Sequence, residues 1–304
     1  MQKGCVEAAL RRVPLEIPSL EKLLLPKIAE DLARKPYGLV LVTGPTGAGK
    51  TTTLAAMIDM INRERESIVI CIEDPIEFIH ANKKSVIKQR EVYSDTKSFA
   101  NALRHVLRED PNIIMVGEVR DKETASLVIH AALTGHIVLS TLHTNNAQGV
   151  IPRLIDMGID KYLIAPTLSL AMSQRLIRRL CDTCKEKVVA LKPMQQLMEQ
   201  ELALAPLQAQ KRAESVKKGK EFFVFQARGC KQCHSSGYAG RIAVFEVLSM
   251  TPQLSEIILN KASEAAIAKE AQRQGMVTMR QDGILKALDG LTTIEEIVRV
   301  SGES

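Results

Sequence analysis

The stretch Gly44-Pro45-Thr46-Gly47-Ala48-Gly49-Lys50-Thr51-Thr52 has the residue types and spacing to hold a polyphosphate. It fits G-x-x-x-x-G-K-[ST], which reads as a phosphate loop when it joins a strand to a helix. Glycines let backbone N–H groups turn inward around the phosphates. The N-terminus of the following helix adds its positive pole. In that setting Lys50 reaches the β- and γ-phosphates of a nucleoside triphosphate, and Thr51 ligates Mg²⁺. The alternative, a glycine-rich turn without a ligand, is disfavoured by the complete motif between a strand pattern and a helix pattern.

Carboxylates and a histidine stand at the ends of later apolar runs. The run Ser67-Ile68-Val69-Ile70-Cys71-Ile72 ends in Glu73-Asp74-Pro75-Ile76-Glu77. In a parallel α/β sheet, groups at the C-terminal strand ends face the ligand crevice, so Glu73 is a candidate general base for an attacking water. Asn112-Ile113-Ile114-Met115-Val116-Gly117-Glu118 is an apolar strand pattern ending in an acid, which suits Glu118 to holding Mg²⁺ through water. His143 closes a third such run, a place from which to sense a γ-phosphate. Arg104 and Arg108 lie at i, i+4 on one helix face, where they either pair with carboxylates or reach phosphates.

Four of the six cysteines form two C-x-x-C pairs, Cys181 with Cys184 and Cys230 with Cys233. Two such knuckles suit a tetrahedral, four-thiolate, structural Zn²⁺ site; a redox pair or incidental thiols are the alternatives. Between them, residues 193–220 are rich in Gln, Glu, Lys and Ala and read as an amphipathic helical insertion.

The elements that must position these groups follow from periodicity and breakers. Strands are expected at 38–43, 67–72, 112–118 and 136–144, with a strand pair or loop at 85–93. Helices are expected at 19–23 with Ser19 as N-cap, 27–34, from the phosphate loop to about Asn62, 96–109, 121–134 with Gly135 as cap, 148–157 and 162–180. The tail 244–304 reads as helical, its last helix capped by Thr292 or Thr293. This alternation predicts an α/β fold with a doubly wound parallel sheet. Four segments result: 1–26, 27–180, 181–243 with the cysteines, and 244–304. The first contains a possible strand at 6–13 followed by prolines, and reads as the last strand of something longer plus a linker.

With 304 residues, the chain can form two domains of ordinary size. Hydrophobic residues make up 45% and charged residues 25%, as in a soluble globular protein. No apolar run reaches the roughly 18 residues of a membrane span, and no signal-like segment opens the sequence. Direct membrane insertion is therefore not expected, and a cytoplasmic location is. The net charge of +6 is spread thinly, and aromatics are 3%, which argues against a nucleic-acid partner.

Four stretches occur in order: GPTGAGKTTTL, IEDPIE, LRHVLREDPNIIMVGEVRD and TGHIVLSTLHTNNA. Together they resemble the secretion ATPase superfamily, in its type II secretion and type IV pilus branch, from about Ser19 to Val300. The zinc-bearing half, from Gln174 through Cys181 to Cys230, Cys233 and Gly237-Tyr238-Ala239-Gly240-Arg241, is similar to the pilus-extension and secretion sub-branch. The segment FIHANKKSVIKQREV (78–92) and the opening strand instead resemble the retraction sub-branch. The resemblance implies a P-loop (RecA-like) fold, a phosphate site including Lys50, Thr51 and Thr52, Glu73 as general base and Glu118 as Walker B carboxylate. It also implies His143 in the His box, and Arg104 and Arg108 as arginines that approach the γ-phosphate. It further implies a ring hexamer with nucleotide between subunits, acting on an inner-membrane platform protein of a pilus or secretion machine. The family carries a domain before the phosphate-loop domain that donates arginines; here Arg11 or Arg12 is the counterpart the resemblance offers.

Overall fold

The computed structural model describes residues 16–217, 219 and 221–301. The expected strand at 6–13, with Arg11 and Arg12, lies outside the described residues. Among the described residues, nine strands form two sheets: β1 (Gly38–Thr43), β2 (Ile68–Glu73), β3 (Val86–Glu91), β4 (Ile113–Val116), β5 (Ile137–Leu142), β6 (Leu168–Leu180), β7 (Lys185–Val189), β8 (Phe223–Ala227) and β9 (Tyr238–Ser249). The large sheet runs β3-β2-β4-β5-β1-β6-β9. Its first six strands are mutually parallel, and β9 is antiparallel to β6.

Parallel strands covered on both faces read as continuous apolar runs, and β1, β4 and β5 are buried throughout. One face packs on the helices Lys27–Ala33 and Lys50–Glu64, through Ala29, Leu54, Met57, Ile58 and Ile61. The other packs on helices Phe99–Val106, Lys122–Leu133, Val150–Asp156 and Lys161–Thr167, and on two later ones, Pro252–Lys261 and Glu264–Arg273. Helix starts follow local chemistry. Ser19, Ser98 and Asp121 each accept a backbone N–H from the first turn. Gly135 adopts φ 100° just past the helix ending at Leu133, where a left-handed residue satisfies the terminal carbonyls.

Two expectations are corrected. The helix expected over 162–180 ends at Thr167, and residues Leu168–Leu180 form β6. The sequence Leu168-Ser169-Leu170-Ala171-Met172-Ser173-Gln174 alternates poorly because both faces are covered, so period alone could not separate strand from helix. The tail is not helical from 244, since β9 continues to Ser249 beside β6. The expected boundary at 243/244 therefore falls inside a strand.

The outer edge of β9 is closed by side chains of the helix Met279–Leu288. Asp282 Oδ2 accepts the Phe245 N–H at 2.8 Å, and Lys286 Nζ donates to the Ala243 carbonyl at 2.8 Å. Asp282 and Lys286 also pair at 2.6 Å. This removes free ladder groups that would otherwise template another strand. β7 and β8 pair antiparallel away from the main sheet. They share a separate core with helices Lys192–Ala203, Leu207–Ser215, Met279–Leu288 and Ile294–Ser301.

Candidate nucleotide site and cysteine cage

The residues Thr46–Thr52 curl between β1 and the helix Lys50–Glu64 and form one wall of a pocket. Gly44 has φ 142°, and a Cβ there would lie 2.4 Å from the Gln174 carbonyl oxygen. Gln174, on β6, fixes the loop's far end. Its Nε2 donates to the Ala48 carbonyl at 2.6 Å, and its Oε1 accepts the Thr53 hydroxyl at 2.8 Å. Gly44→Ala is accordingly expected to cost about 2 kcal/mol in stability. It should also weaken Mg·ADP binding more than tenfold, as read by titration with a fluorescent ADP analogue.

The opposite wall carries the strand-end groups. Glu73 is 4% exposed, and its Oε1 accepts from Gln89 Nε2 at 2.9 Å. Burial pushes its carboxyl up to about 7, against the Gln89 hydrogen bond. A carboxylate near neutrality is matched to general-base work. Glu118 meets Arg120 at 2.6 Å and His143 Nε2 at 3.7 Å. Burial, aided by Lys50, moves the His143 ring below its ordinary pKa, while Glu118 opposes. Lys50 Nζ folds back on the carbonyls of Gly44 and Pro45 at 2.8 and 3.2 Å, and burial lowers its pKa. Thr43 Oγ1 donates to the Leu142 carbonyl at 2.8 Å and accepts the Thr144 N–H at 2.7 Å, so the end of β1 is tied to the segment containing His143. Lysine, hydroxyls and acids thus converge on one pocket, which can take a phosphate chain and a hard cation.

That pocket lies within a stretch, residues 17–299, that matches the family described as "Type II/IV secretion system protein". The chain belongs to this family. It is 44% identical over 265 residues to the "Type IV pilus assembly ATPase PilB" of Myxococcus xanthus, covering 87% of this chain and 44% of the relative. It is 41% identical over 278 residues to the "Type II secretion system protein E" of Pseudomonas aeruginosa, covering 91% and 51%. The chain therefore spans about half the length of these curated relatives. Among solved structures, a pilus retraction motor PilT with bound ADP superposes with a TM-score of 0.71 at 33% identity, covering 95% of this chain and 68% of that one.

Within this secretion-family chain the pocket contains Thr46, Gly47, Ala48, Gly49, Lys50, Thr51 and Thr52 together with Glu73, Glu118 and His143. Gly44 and Pro45 stand at its base, through the carbonyls that hold Lys50. Arg104 and Arg108 do not line it; Arg104 pairs with Glu123 on the surface of the neighbouring helix. Of the two roles open to that arginine pair, Arg104 takes the carboxylate. The arginines that do line the pocket are Arg120 and Arg241. Sequence reasoning missed both; the signal for Arg120 was its place two residues beyond Glu118. Arg241 had no such signal, because β6 and β9 had to be strands before it could be placed opposite the phosphate loop.

The antiparallel pairing of β7 and β8, with Lys185 opposite Ala227, brings the two C-x-x-C turns together. Sγ separations are 3.9 Å for Cys181–Cys230, 3.8 Å for Cys184–Cys233 and 3.7 Å for Cys230–Cys233, and all four lie within 4.8 Å of one another. A tetrahedron with Zn–S of about 2.3 Å has sulfur–sulfur edges of about 3.8 Å. Cys233 Sγ also accepts the backbone N–H groups of Cys230 and Gly237 at 3.1 and 3.2 Å, which favours a thiolate. The donor set and its size fit Zn²⁺.

Proposed function

We propose that this chain is the motor portion of an ATP hydrolase that powers type IV pilus assembly or type II protein secretion. The observation that carries the reading is the convergence of Lys50, Thr51, Glu73, Glu118 and His143 on one pocket in a member of this family. ATP binds with its phosphates along residues 44–52. Thr51 and Glu118 would hold Mg²⁺, whose chemistry is to neutralise charge on the phosphates. Glu73 takes a proton from the attacking water, Lys50 and the loop N–H groups stabilise the transferring phosphoryl, and Arg120 and Arg241 offer further positive charge. Cys181, Cys184, Cys230 and Cys233 hold one structural Zn²⁺.

The chain works as a hexameric ring in the cytoplasm, against an inner-membrane platform protein. No helix among the described residues is long and apolar enough to cross a membrane. Pilus retraction is the second reading, favoured by the segment 78–92 and by the likeness to the PilT motor. The four cysteines and the 44% and 41% identities to assembly and secretion relatives favour the first.

The purified protein should turn over Mg·ATP, lose that activity on Lys50→Ala, show no stimulation by DNA or RNA, and carry one zinc per chain. Steep, salt-sensitive stimulation by nucleic acid would replace the motor reading with a nucleic-acid-dependent one. Zinc-free protein would remove the assembly and secretion branch.

A further inference from the structure

β6 and β9 together separate two cavities. Alternation along β6 sends Gln174 and Leu176 toward the phosphate loop and Arg175 and Ile177 to the other face. On β9, Arg241 faces the nucleotide pocket, while Val244 and Glu246 face a second cavity of about 380 Å³. The start of the helix Met279–Leu288, the end of the helix Ile294–Ser301 and the segment just after His143 complete its walls.

Arg175 is the unexplained group there. It is 8% exposed, yet it enters no ion pair among the described residues. Among the described residues, its one hydrogen bond runs from Nη1 to the Val300 carbonyl at 2.7 Å. A guanidinium carries five N–H donors and stays charged in proteins, and a buried charge is costly unless it finds a partner. The carboxylates in the same cavity are committed elsewhere. Glu201 pairs with Arg280 at 2.9 Å. Glu246 accepts the Ala147 N–H at 2.9 Å, and burial keeps its carboxyl above the ordinary value. Neither supplies a counter-charge to Arg175. Asn145 and Asn146 add polar groups to one wall, and Ile177, Val244 and Ile297 make an apolar one.

We propose that this cavity binds a small organic anion, a carboxylate or phosphate monoester on an apolar body, with its charged head on the Arg175 guanidinium. The apolar body lies against Ile177, Val244 and Ile297. The volume suits a ligand of that size. The segment Asn145–Asn146 lies just past His143, and Thr144 is tied to Thr43 at the start of the phosphate loop. Occupancy can therefore be felt at the nucleotide site; an effect on turnover would rest on the ATPase reading, whereas binding itself does not.

The test is thermal unfolding of the purified chain with 4-bromobenzoate and phenyl phosphate as probes. At a tenfold excess over Kd, the expected rise in Tm is roughly 3 °C and saturable. It should disappear in Arg175→Met and persist in Arg153→Met, a control at an exposed helical arginine. In crystals soaked with 4-bromobenzoate, the anomalous signal of bromine should lie in this cavity. Absence of a saturable rise with both probes overturns the proposal. So does a rise that survives Arg175→Met and is lost in Lys50→Ala, because that is anion binding at the phosphate loop. If Arg175→Met does not fold, the bromine position decides alone: in the cavity it supports the site, elsewhere or absent it refutes it.

Discussion

Glu73→Gln is expected to keep Mg·ATP binding and lower kcat by a factor on the order of 10² or more. The substitution preserves shape and an acceptor oxygen for Gln89 Nε2, which lies 2.9 Å from Glu73 Oε1. It removes the only thing a base needs, a site for the proton. The same group makes a pH prediction. With its carboxyl at about 7, kcat/KM should rise with pH through that value, since the ionised form acts. Stability should run the other way. The folded pKa lies above the ordinary 4.5, so the contribution is full below pH 4.5 and is lost as pH rises through about 7. At pH 8 the Gln variant should therefore melt no lower than the parent. A Glu73→Gln protein with unchanged kcat would move the base to another pocket group, with Asp74 and Glu77 the acidic neighbours that line the same pocket.

The phosphate loop, the acids at the ends of β2 and β4, and the strands β1, β2, β4 and β5 were legible because each is a local pattern. A strand end in a parallel sheet has one destination, so Glu73 and Glu118 could be placed without coordinates. What failed was non-local. β6 is a 13-residue strand buried on both faces for most of its length, and its composition suits a helix equally well. Missing it hid Gln174 as the clamp on the phosphate loop and Arg175 as a buried cation on the opposite face. Not reading residues 238–249 as a strand hid Arg241. Arg104 and Arg108 show a different limit. The i, i+4 spacing predicts one shared helix face, but the helix ends at Val106, so only Arg104 lies on it, and tertiary packing brings that residue to Glu123.

Removal of the Zn²⁺ proposed for the four cysteines has the second largest expected effect, and its consequence is uneven across the chain. β7 and β8 have five residues each and make a two-stranded sheet, which is marginal by itself. The four cysteines meet at its open end, where a bound Zn²⁺ would pin it. Phe222 and Val224, at the start of β8, pack in the same core as Ile284, Leu288, Ile294 and Ile297. Zinc removal with a chelator, or Cys230→Ser, should therefore loosen residues 181–237 first and the last two helices with them. A loss of about 3 kcal/mol in that unit would lower its unfolding transition by roughly 10 °C. Hydrogen exchange should show the drop in protection over β7, β8 and the helix Met279–Leu288, while β1, β4 and β5, in separate cores, stay protected. Mg·ADP binding, which depends on the phosphate loop, should change little. Turnover should fall more, because β9 begins at Tyr238, directly after the second cysteine turn, and carries Arg241 into the nucleotide pocket. Equal protection with and without zinc across β7 and β8 would mean that the helices alone hold the hairpin and that the cage adds no folding energy.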